Sequence, residues 1–323
     1  MRADWMRSYL PVCFSGLPDE ALPESIPVKH GKVREIVDLG DELLITASDR
    51  VSAFDRVLAL VPCKGELLNR ISLYWFSQTR DIVSNHVVEM VTPRTTRVKK
   101  CRVIPIEVVV RGYLSGSAWR DYQSGRPVSG VTLPEGLSRN EKLPQPLVTP
   151  STKESEGRDR PVSEQEIVES GVVDEALWKQ IRETSLALYE RGRELSAEAG
   201  LILVDTKYEF GLDENGTLTL VDELHTPDSS RYWKTDDYSR RFEAGDEQYH
   251  LDKEFLRAWL LGQGYSGDGK PPQIPEDVII ELAGRYIDAV ERLTGAEFEP
   301  MAQDPDREVD RVIDLYNPRS AGR

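Results

Sequence analysis

Two neighbouring stretches, LILVDTKYEFG (201–211) and LTLVDELHTPDSSRYW (218–233), each begin as an apolar strand and then fill with Asp, Lys and Glu. Between them lies DENGT (213–217), which is typical of a turn. The pattern therefore predicts a β-hairpin whose strands run through the protein core. Charged side chains are costly at the ends of core strands, so other groups must compensate for their charge.

The length of the turn decides which of these charges face each other. With Asn215-Gly216 as a two-residue turn, Glu209 faces Asp222, and Lys207 lies on the same side of the sheet. Two opposed carboxylates repel, and Mg²⁺ with substrate phosphates would compensate. A four-residue turn would instead pair Lys207 with Asp222, and a three-residue turn would separate these side chains. The hairpin alone leaves a metal site and an ordinary ion pair equally open.

Two further stretches carry residues suited to a phosphate group. In the stretch VVVRGYLSGSAW (108–119), Arg111 lies at the end of a predicted core strand, and Ser117 lies where a helix is predicted to begin. HTPDSSRYW supplies Asp228, two serines and Arg231 after the second strand of the hairpin. Guanidinium groups, hydroxyls and helix N-termini all bind phosphate oxygens. Taken separately, each stretch could equally be an ordinary strand-to-helix or capping turn.

Composition limits the class of protein. The chain has 323 residues, enough for two domains, and carries 41 Lys and Arg against 56 Asp and Glu, for a net charge of −15. This charge disfavours duplex nucleic acid and anionic membranes as partners. The three cysteines show no CxxC spacing, the N-terminus does not resemble a signal peptide, and no apolar run reaches membrane-spanning length. We expect a soluble, cytoplasmic protein that can still bind an anionic small molecule in a local basic pocket. We take it to be a monomer, although no feature of the sequence sets the oligomeric state.

The chain is β-rich at first and helical later. Strands are predicted over 28–39 and 41–48 as a hairpin and over 102–114, whereas helices are predicted over 67–82, from 115, and over 174–199, 252–261 and 275–293. The intervening residues 123–162 are rich in Gly, Pro and Ser and are predicted to be a long irregular segment. We therefore expect a β-rich N-terminal domain, 1–115, and a larger α+β domain, 116–323.

Taken together, these stretches resemble the SAICAR synthetases (phosphoribosylaminoimidazole-succinocarboxamide synthases), in the longer form found in yeast. The motifs occur in family order over about residues 28–260: GKVRE (31–35), SDRVSAFD (48–55), IPIEVVVRGYLSGSAW (104–119), TPSTK (149–153), LILVDTKYEFG (201–211) and VDELHTPDSSRYW (221–233). RGYLSGSAW and VDELHTPDSSRYW are long enough to be specific, whereas GKVRE alone is not.

The resemblance implies a fold and a reaction. The fold is α+β, with a β-rich antiparallel N-terminal domain, a larger α+β C-terminal domain, and an ATP cleft between them. The reaction joins L-aspartate to the carboxylate of CAIR, a ribonucleotide, through an acyl phosphate, and it yields SAICAR, ADP and phosphate in de novo purine biosynthesis. A small-molecule kinase that uses Mg–ATP on a phosphorylated metabolite is the alternative. A non-catalytic nucleotide-binding regulator is a second one.

The resemblance also implies roles for individual residues. Lys207, Glu209 and Asp222 are implied to be catalytic and to bind ATP, with Glu209 and Asp222 as the Mg²⁺ ligands. Gly31, Lys32 and Arg34 are implied to cover the ATP phosphates. Arg111, Ser117, Ser230 and Arg231 would surround the 5′-phosphate of CAIR, Asp228 would contact its ribose or imidazole end, and Glu107 would support the metal and carboxylate region. Lys153, Asp49 and Arg257 are the candidates for the aspartate pocket.

Overall fold

The computed structural model describes residues 2–23, 26–153, 160–301 and 304–320. Its strands are Val28–His30 (β1), Arg34–Asp38 (β2), Glu42–Ala47 (β3), Arg50–Ala53 (β4), Arg56–Leu60 (β5), Ser84–Asn85 (β6), Val87–Met90 (β7), Thr95–Lys99 (β8), Arg102–Tyr113 (β9), Lys142–Thr152 (β10), Leu201–Leu212 (β11), Leu218–Val221 (β12) and Ser230–Lys234 (β13). Its α-helices are Arg2–Tyr9 (α1), Lys64–Gln78 (α2), Gly116–Gln123 (α3), Glu164–Glu169 (α4), Glu175–Glu198 (α5), Thr235–Ala244 (α6), Glu254–Gly262 (α7), Glu276–Thr294 (α8) and Pro305–Ser320 (α9).

The first compact unit groups Met1–Tyr74, His86–Lys100 and Leu251–Arg323. Its antiparallel sheet has the strand order β1-β2-β3-β8-β7, and β4 and β5 form a separate hairpin. Val37 and Leu44 from this sheet share a buried cluster with Val309 and Val312 of α9. The last helix of the chain therefore covers the N-terminal sheet. The expected antiparallel N-terminal sheet is confirmed.

The second compact unit groups Trp75–Asn85 and Cys101–His250. Its sheet has the order β10-β9-β11-β12-β6, with β13 also pairing with β11. The β12–β6 pair is parallel and the remaining pairs are antiparallel, so the sheet is mixed. Strand β11 thus pairs with β9 on one side and with β13 and then β12 on the other. That position buries Tyr208 and Phe210 on one face of β11 and explains its long apolar sequence.

The two units draw on segments that alternate along the chain. By contact, the helices after residue 250 group with the N-terminal sheet, and Trp75–Asn85 groups with the second unit. The division into domains 1–115 and 116–323 stays a prediction. The α+β character of the chain is confirmed.

Two local predictions were wrong in detail. Residues 28–39 form two strands instead of one, because the Gly31 N–H donates to the Arg34 carbonyl (2.7 Å) and closes a turn. The segment 123–162 contains a strand, β10, although residues 154–159 of this segment lie outside the described residues. Strand β10 lies at the sheet edge, where three prolines cost no ladder hydrogen bond to a further strand.

The long helix is confirmed at both ends. Asp174 caps α5 by accepting a hydrogen bond from the Leu177 N–H (2.8 Å), and Gly200 follows the helix with φ of 70°. Ser163 and Glu166 form a capping box at the start of the short helix α4. Within the part of the chain that is described, no helix has the length and apolarity needed to cross a membrane.

Gly112 of β9 marks the closest approach of α5 to the sheet. A Cβ atom at this position would lie 2.0 Å from Oη of Tyr189, whose buried hydroxyl donates to the Leu203 carbonyl (2.8 Å). We expect Gly112→Ala to reduce the free energy of unfolding by roughly 1–3 kcal/mol, since the helix must move or the tyrosine must lose its hydrogen bond. Urea denaturation measures this change.

Two comparisons make this measurement specific. Gly262→Ala places a Cβ where no atom lies within 4 Å, so its unfolding midpoint should equal or slightly exceed that of the wild type, because alanine favours the helix that ends there. Tyr189→Phe in the Gly112→Ala background removes the clashing oxygen and should recover part of the loss. An unchanged midpoint for Gly112→Ala itself would contradict the close packing of α5 on β9.

Candidate active site

One face of the sheet in the second unit carries most of the predicted site. In the β9–β11 register, Glu209 lies opposite Glu107, and Asp205 lies opposite Arg111. Side chains alternate along a strand, so Lys207 shares this face with Asp205 and Glu209. The charged residues therefore form a stripe along β11, with one group around Lys207 and another around Asp205.

The first group, the lysine–carboxylate cluster, is Lys207 with Glu107, Glu209, Asp222 and Lys153. Lys207 Nζ donates to Glu107 Oε1 (3.0 Å), contacts Glu209 and lies 3.7 Å from Asp222 Oδ2. Lys153, just after β10, also forms an ion pair with Glu209. The structure thus brings together the predicted catalytic residues, Lys207, Glu209 and Asp222.

The charges in this cluster shift each other's protonation. Burial alone would raise the pKa of Glu209, but Lys207 and Lys153 outweigh burial and bring that pKa to about 2. Burial likewise would lower the pKa of Lys207, whereas Glu209 and Glu107 raise it above the usual value for lysine. Glu209 is therefore a carboxylate and Lys207 an ammonium group across the physiological pH range.

The two-residue turn predicted for the hairpin is wrong. Strand β12 pairs Glu209 with Val221, and the Asp213 N–H donates to the Thr217 carbonyl (3.1 Å), which leaves a three-residue loop. The Asp213 carboxylate accepts from the N–H groups of Asn215 (2.9 Å) and Thr217 (2.8 Å). This side-chain turn stabilises the longer loop, in which Gly216 has φ of 76°.

Asp222 therefore does not face Glu209 across the hairpin, and the carboxylate opposite Glu209 is that of Glu107. Strand β12 ends at Val221, and Asp222 adopts a left-handed backbone with φ of 68°. This change of direction still brings the Asp222 carboxylate near Lys207. A backbone of this kind is costly for a non-glycine residue and is common at functional sites.

The second group, the two-arginine cluster, surrounds Asp205. Arg111 donates to Asp205 Oδ2 (3.1 Å), to Thr149 Oγ1 (2.9 Å) and to Ser117 Oγ (3.2 Å). Arg231 donates to the same Asp205 oxygen (2.5 Å). Burial lowers the pKa of Arg111, and Asp205 partly offsets that effect. One carboxylate thus pairs with two guanidinium groups. Because the positive charges outnumber the negative one, this arrangement suits a second anion such as a phosphate.

Gly116 allows this cluster to reach the start of α3. A Cβ atom on Gly116 would lie 2.5 to 2.8 Å from the guanidinium atoms of Arg231, and the residue has φ of 58°. The guanidinium therefore packs directly against the backbone at the N-terminus of α3. Ser117 contributes its hydroxyl from the first turn of the same helix. Arg111, Arg231 and Ser117 are thus brought together as predicted.

Ser230 and Asp228 are placed differently. The Ser230 hydroxyl donates to Thr206 Oγ1 (2.8 Å), on the sheet face opposite to Arg231, so it lies apart from the two-arginine cluster. Asp228 is buried in a turn whose N–H groups are bound by Thr226. The Lys207 N–H donates to the Ser229 carbonyl (3.1 Å), which ties this turn to β11. Their roles toward CAIR stay predictions.

Gly31, Lys32 and Arg34 belong to the first unit; Gly31 and Lys32 lie in the turn between β1 and β2, and Arg34 begins β2. The ammonium group of Lys32 pairs with Asp55 (2.5 Å) at an exposed position. The structure therefore places these three residues together in one tight turn. Their contact with ATP phosphates stays a prediction, as does the ATP cleft.

Two of the candidates for the aspartate pocket are engaged within the first unit. Asp49 is buried and accepts hydrogen bonds from the N–H groups of Phe14 (2.7 Å) and Gly65 (2.8 Å) and from Arg94 (3.1 Å). Arg257 lies over the ring of Phe54, 5.1 Å from its centre. Lys153, by contrast, belongs to the lysine–carboxylate cluster described above.

Sequence reasoning missed three residues of the two-arginine cluster. Asp205 alternates with Lys207 and Glu209, so its side of the strand was evident, but its two arginine partners depend on the pairing of β9 and β13 with β11. Thr149 opens the TPSTK motif and was given no role. Gly116 appeared only as part of a turn, because its close approach to Arg231 is a tertiary contact.

The sequence and the fold of this chain were each compared with those of known proteins. A family model described as SAICAR synthetase matches residues 27–273. A phosphoribosylaminoimidazole-succinocarboxamide synthase of Legionella pneumophila (strain Paris) is 47% identical over 296 residues, which cover 90% of this chain and 93% of the relative. One from Bacteroides thetaiotaomicron is 46% identical over 286 residues, covering 87% and 91%.

Solved structures agree with the sequence relatives. A SAICAR synthase from Saccharomyces cerevisiae, complexed with SAICAR, has a TM-score of 0.77 and 34% identity and covers 86% of this chain and 98% of its own. A type-2 SAICAR synthetase in complex with ADP has a TM-score of 0.66 and 27% identity, covering 85% and 100%. From the matched family model and these relatives, the chain belongs to the SAICAR synthetase family.

Proposed function

We propose that the charged face of the second unit's sheet carries the SAICAR synthase reaction, with CAIR held between the two clusters. The observation that supports this most is the alignment of both clusters on one strand. Asp205 and Glu209 are four residues apart on the same face of β11, about 13 Å along a strand, which is the scale of a mononucleotide. The 5′-phosphate would lie at Arg111 and Arg231, and the reacting carboxylate near Lys207.

The proposed reaction depends on neutralisation of negative charge more than on a nucleophilic side chain. The CAIR carboxylate is a poor electrophile because it is anionic and lacks a leaving group. Transfer of the γ-phosphoryl group of ATP to a carboxylate oxygen gives an acyl phosphate, and the amine of L-aspartate then displaces phosphate. Phosphoryl transfer depends on positioning and neutralisation of charge, which Lys207 would supply at the transferred group.

The carboxylates of the lysine–carboxylate cluster fit a magnesium–nucleotide complex. No cluster of three or more His, Cys, Asp or Glu that could hold a metal unaided occurs in residues 2–23, 26–153, 160–301 or 304–320. Mg²⁺, however, is commonly held by one or two carboxylates together with substrate phosphates. We assign Glu209 and Asp222 as these ligands, with Glu107 opposite Glu209 in support. Mg²⁺ would neutralise charge on the ATP phosphates.

The nucleotide assignment rests on similarity to solved relatives. One relative is complexed with SAICAR and another with ADP. By likeness to them, this chain binds ATP and CAIR, and Gly31, Lys32 and Arg34 cover the ATP phosphates. Lys153 and Asp228 would contact the remaining parts of the substrates, L-aspartate and the ribose or imidazole of CAIR. A monomeric state stays a prediction.

The decisive assay combines the purified protein with ATP, Mg²⁺, CAIR and L-aspartate and follows ADP and SAICAR together. SAICAR and ADP should form in equal amounts, and omission of L-aspartate should abolish SAICAR. If ADP and a phosphorylated product form at the same rate without L-aspartate, the chain is a small-molecule kinase and the proposed reaction is wrong.

Glu209→Gln should lower kcat by about 100-fold or more, because it removes a charge that acts at the transferring phosphoryl group. The KM for CAIR should stay within a few-fold of the wild type, since the two-arginine cluster is unchanged. Glu214→Gln, in the exposed hairpin loop, is the matched control and should keep full activity. Full activity of Glu209→Gln at limiting Mg²⁺ would show that Glu209 is not a ligand.

Arg231→Ala should raise the KM for CAIR by about 10-fold or more, because a charge-assisted hydrogen bond to the 5′-phosphate is lost. The KM for ATP should stay nearly constant. Arg240→Ala, an exposed arginine that pairs with Asp237 in α6, should change neither value. Equal increases in both KM values after Arg231→Ala would contradict the phosphate site.

The low pKa of Glu209 also predicts how acid affects stability. The folded-state pKa of about 2 lies below that of an exposed glutamate, so the charge of Glu209 stabilises the fold above pH of about 4.5. That contribution is lost as the pH falls toward 2. Glu209→Gln should therefore be less stable than the wild type at pH 7, and the difference should shrink on acidification. Urea denaturation at a series of pH values measures it.

A further inference from the structure

A single arginine, Arg50, holds the turn between β1 and β2 in place. Its Nε donates to the Lys32 carbonyl (3.0 Å), and its Nη2 donates to the Gly31 carbonyl (3.0 Å). The turn itself is closed by the hydrogen bond from the Gly31 N–H to the Arg34 carbonyl (2.7 Å). Arg50 therefore binds two successive carbonyl groups at the tip of the turn.

Contacts with two further residues fix the position of the same guanidinium. Its Nη1 donates to the Ser15 carbonyl (2.8 Å), and its Nη2 lies 2.6 Å from Oε1 of Glu35, whose side chain is fully buried. Gly16 has φ of 131°, and a Cβ atom there would lie 2.4 Å from Oε1 of Glu35 and 2.8 Å from Nη1 of Arg50. The guanidinium thus joins three chain segments at a tightly packed point.

These contacts fix the direction of the backbone at the turn. In a trans peptide unit, the carbonyl and the following N–H point in opposite directions. Since the carbonyls of Gly31 and Lys32 point at Arg50, the N–H groups of Lys32 and Val33 point away from it. Successive N–H groups that face one side of a turn form a concave anion-binding surface. The side chains of Lys32 and Arg34 add two positive charges to the same turn.

We propose that Arg50 is a positioning residue for nucleotide binding, which presents the Lys32 and Val33 N–H groups to the ATP phosphates by holding the carbonyls behind them. This role rests on the proposed function, in which the Gly31–Arg34 turn covers those phosphates. Arg50 itself does not touch the nucleotide. Its planar fork suits the task, because an ammonium group cannot donate in fixed directions to three carbonyls while it pairs with a carboxylate.

The test measures ADP binding in the presence of Mg²⁺ by calorimetry, together with the KM values for ATP and CAIR. Arg50→Ala should weaken ADP binding and raise the KM for ATP by about 10-fold or more, since hydrogen bonds from a charged donor that fix the turn are lost. The KM for CAIR should stay within about two-fold, because the two-arginine cluster is untouched. Arg50→Lys should fall between Arg50→Ala and the wild type.

Arg56→Ala is the matched control. Arg56 lies in the same β4–β5 hairpin, and its Nη1 donates to one carbonyl, that of Gly269 (2.9 Å). This variant should bind ADP as the wild type does. Thermal unfolding of each variant shows whether the fold is retained. If Arg50→Ala does not fold, Arg50→Lys tests the proposal instead. We expect its ADP dissociation constant to rise several-fold while its melting temperature stays unchanged.

Lys32→Ala distinguishes a failure of the Arg50 proposal from a failure of the proposed function. If Lys32→Ala and Arg50→Ala both bind ADP as the wild type does, the turn does not cover the phosphates, and that part of the proposed function is wrong. If Lys32→Ala weakens ADP binding but folded Arg50 variants do not, the positioning role of Arg50 alone is overturned. Proportional increases in the KM for ATP and for CAIR in the Arg50 variants would also overturn it, because they indicate a general loss of structure.

Discussion

The contact between Lys207 and its surrounding carboxylates is the constraint on which the site depends. Glu107 and Glu209 face each other across β9 and β11, a pairing that is unfavourable between like charges. Lys207 lies within ion-pair distance of both and of Asp222. Removing one partner from such a buried group leaves uncompensated charge, which costs more than the pair contributes. The cluster is therefore stable only as a unit, with both strands in register.

The opposite face of the same strand provides the force that sets this register. Tyr208 and Phe210 are fully buried, whereas Lys207 and Glu209 on the other face carry charge. A shift of one residue would place the charges in the apolar core and the aromatic rings among the carboxylates, so the alternation allows one pairing only. Apolar burial on one side of β11 thus holds charged groups in place on the other. Rigid placement of this kind is what a site for phosphoryl transfer requires.

The anion sites proposed for the two units differ in kind. In the second unit, Arg111 and Arg231 offer side-chain guanidinium groups, and their orientation is set by Asp205, Thr149 and Ser117. In the first unit, the tight turn beginning at Gly31 would offer backbone N–H groups, because Arg50 binds the carbonyls of Gly31 and Lys32 behind them. A guanidinium fork matches the oxygens of a single phosphate, whereas successive backbone N–H groups in a turn form a concave anion-binding surface.

The sequence by itself determined the family, the α+β class, the antiparallel N-terminal sheet, the long helix after residue 174 and the residues that carry charge. Strand alternation was enough to place Lys207 and Glu209 on one face, because the period of a strand is a local property. It could not choose between turn lengths, since the Asp213 side chain stabilises a three-residue loop where Asn-Gly favours two. Nor could it show that Glu107, 102 positions earlier in the chain, is the carboxylate that faces Glu209. Which strands lie side by side is decided by packing of the whole sheet, and only the tertiary structure contains that choice.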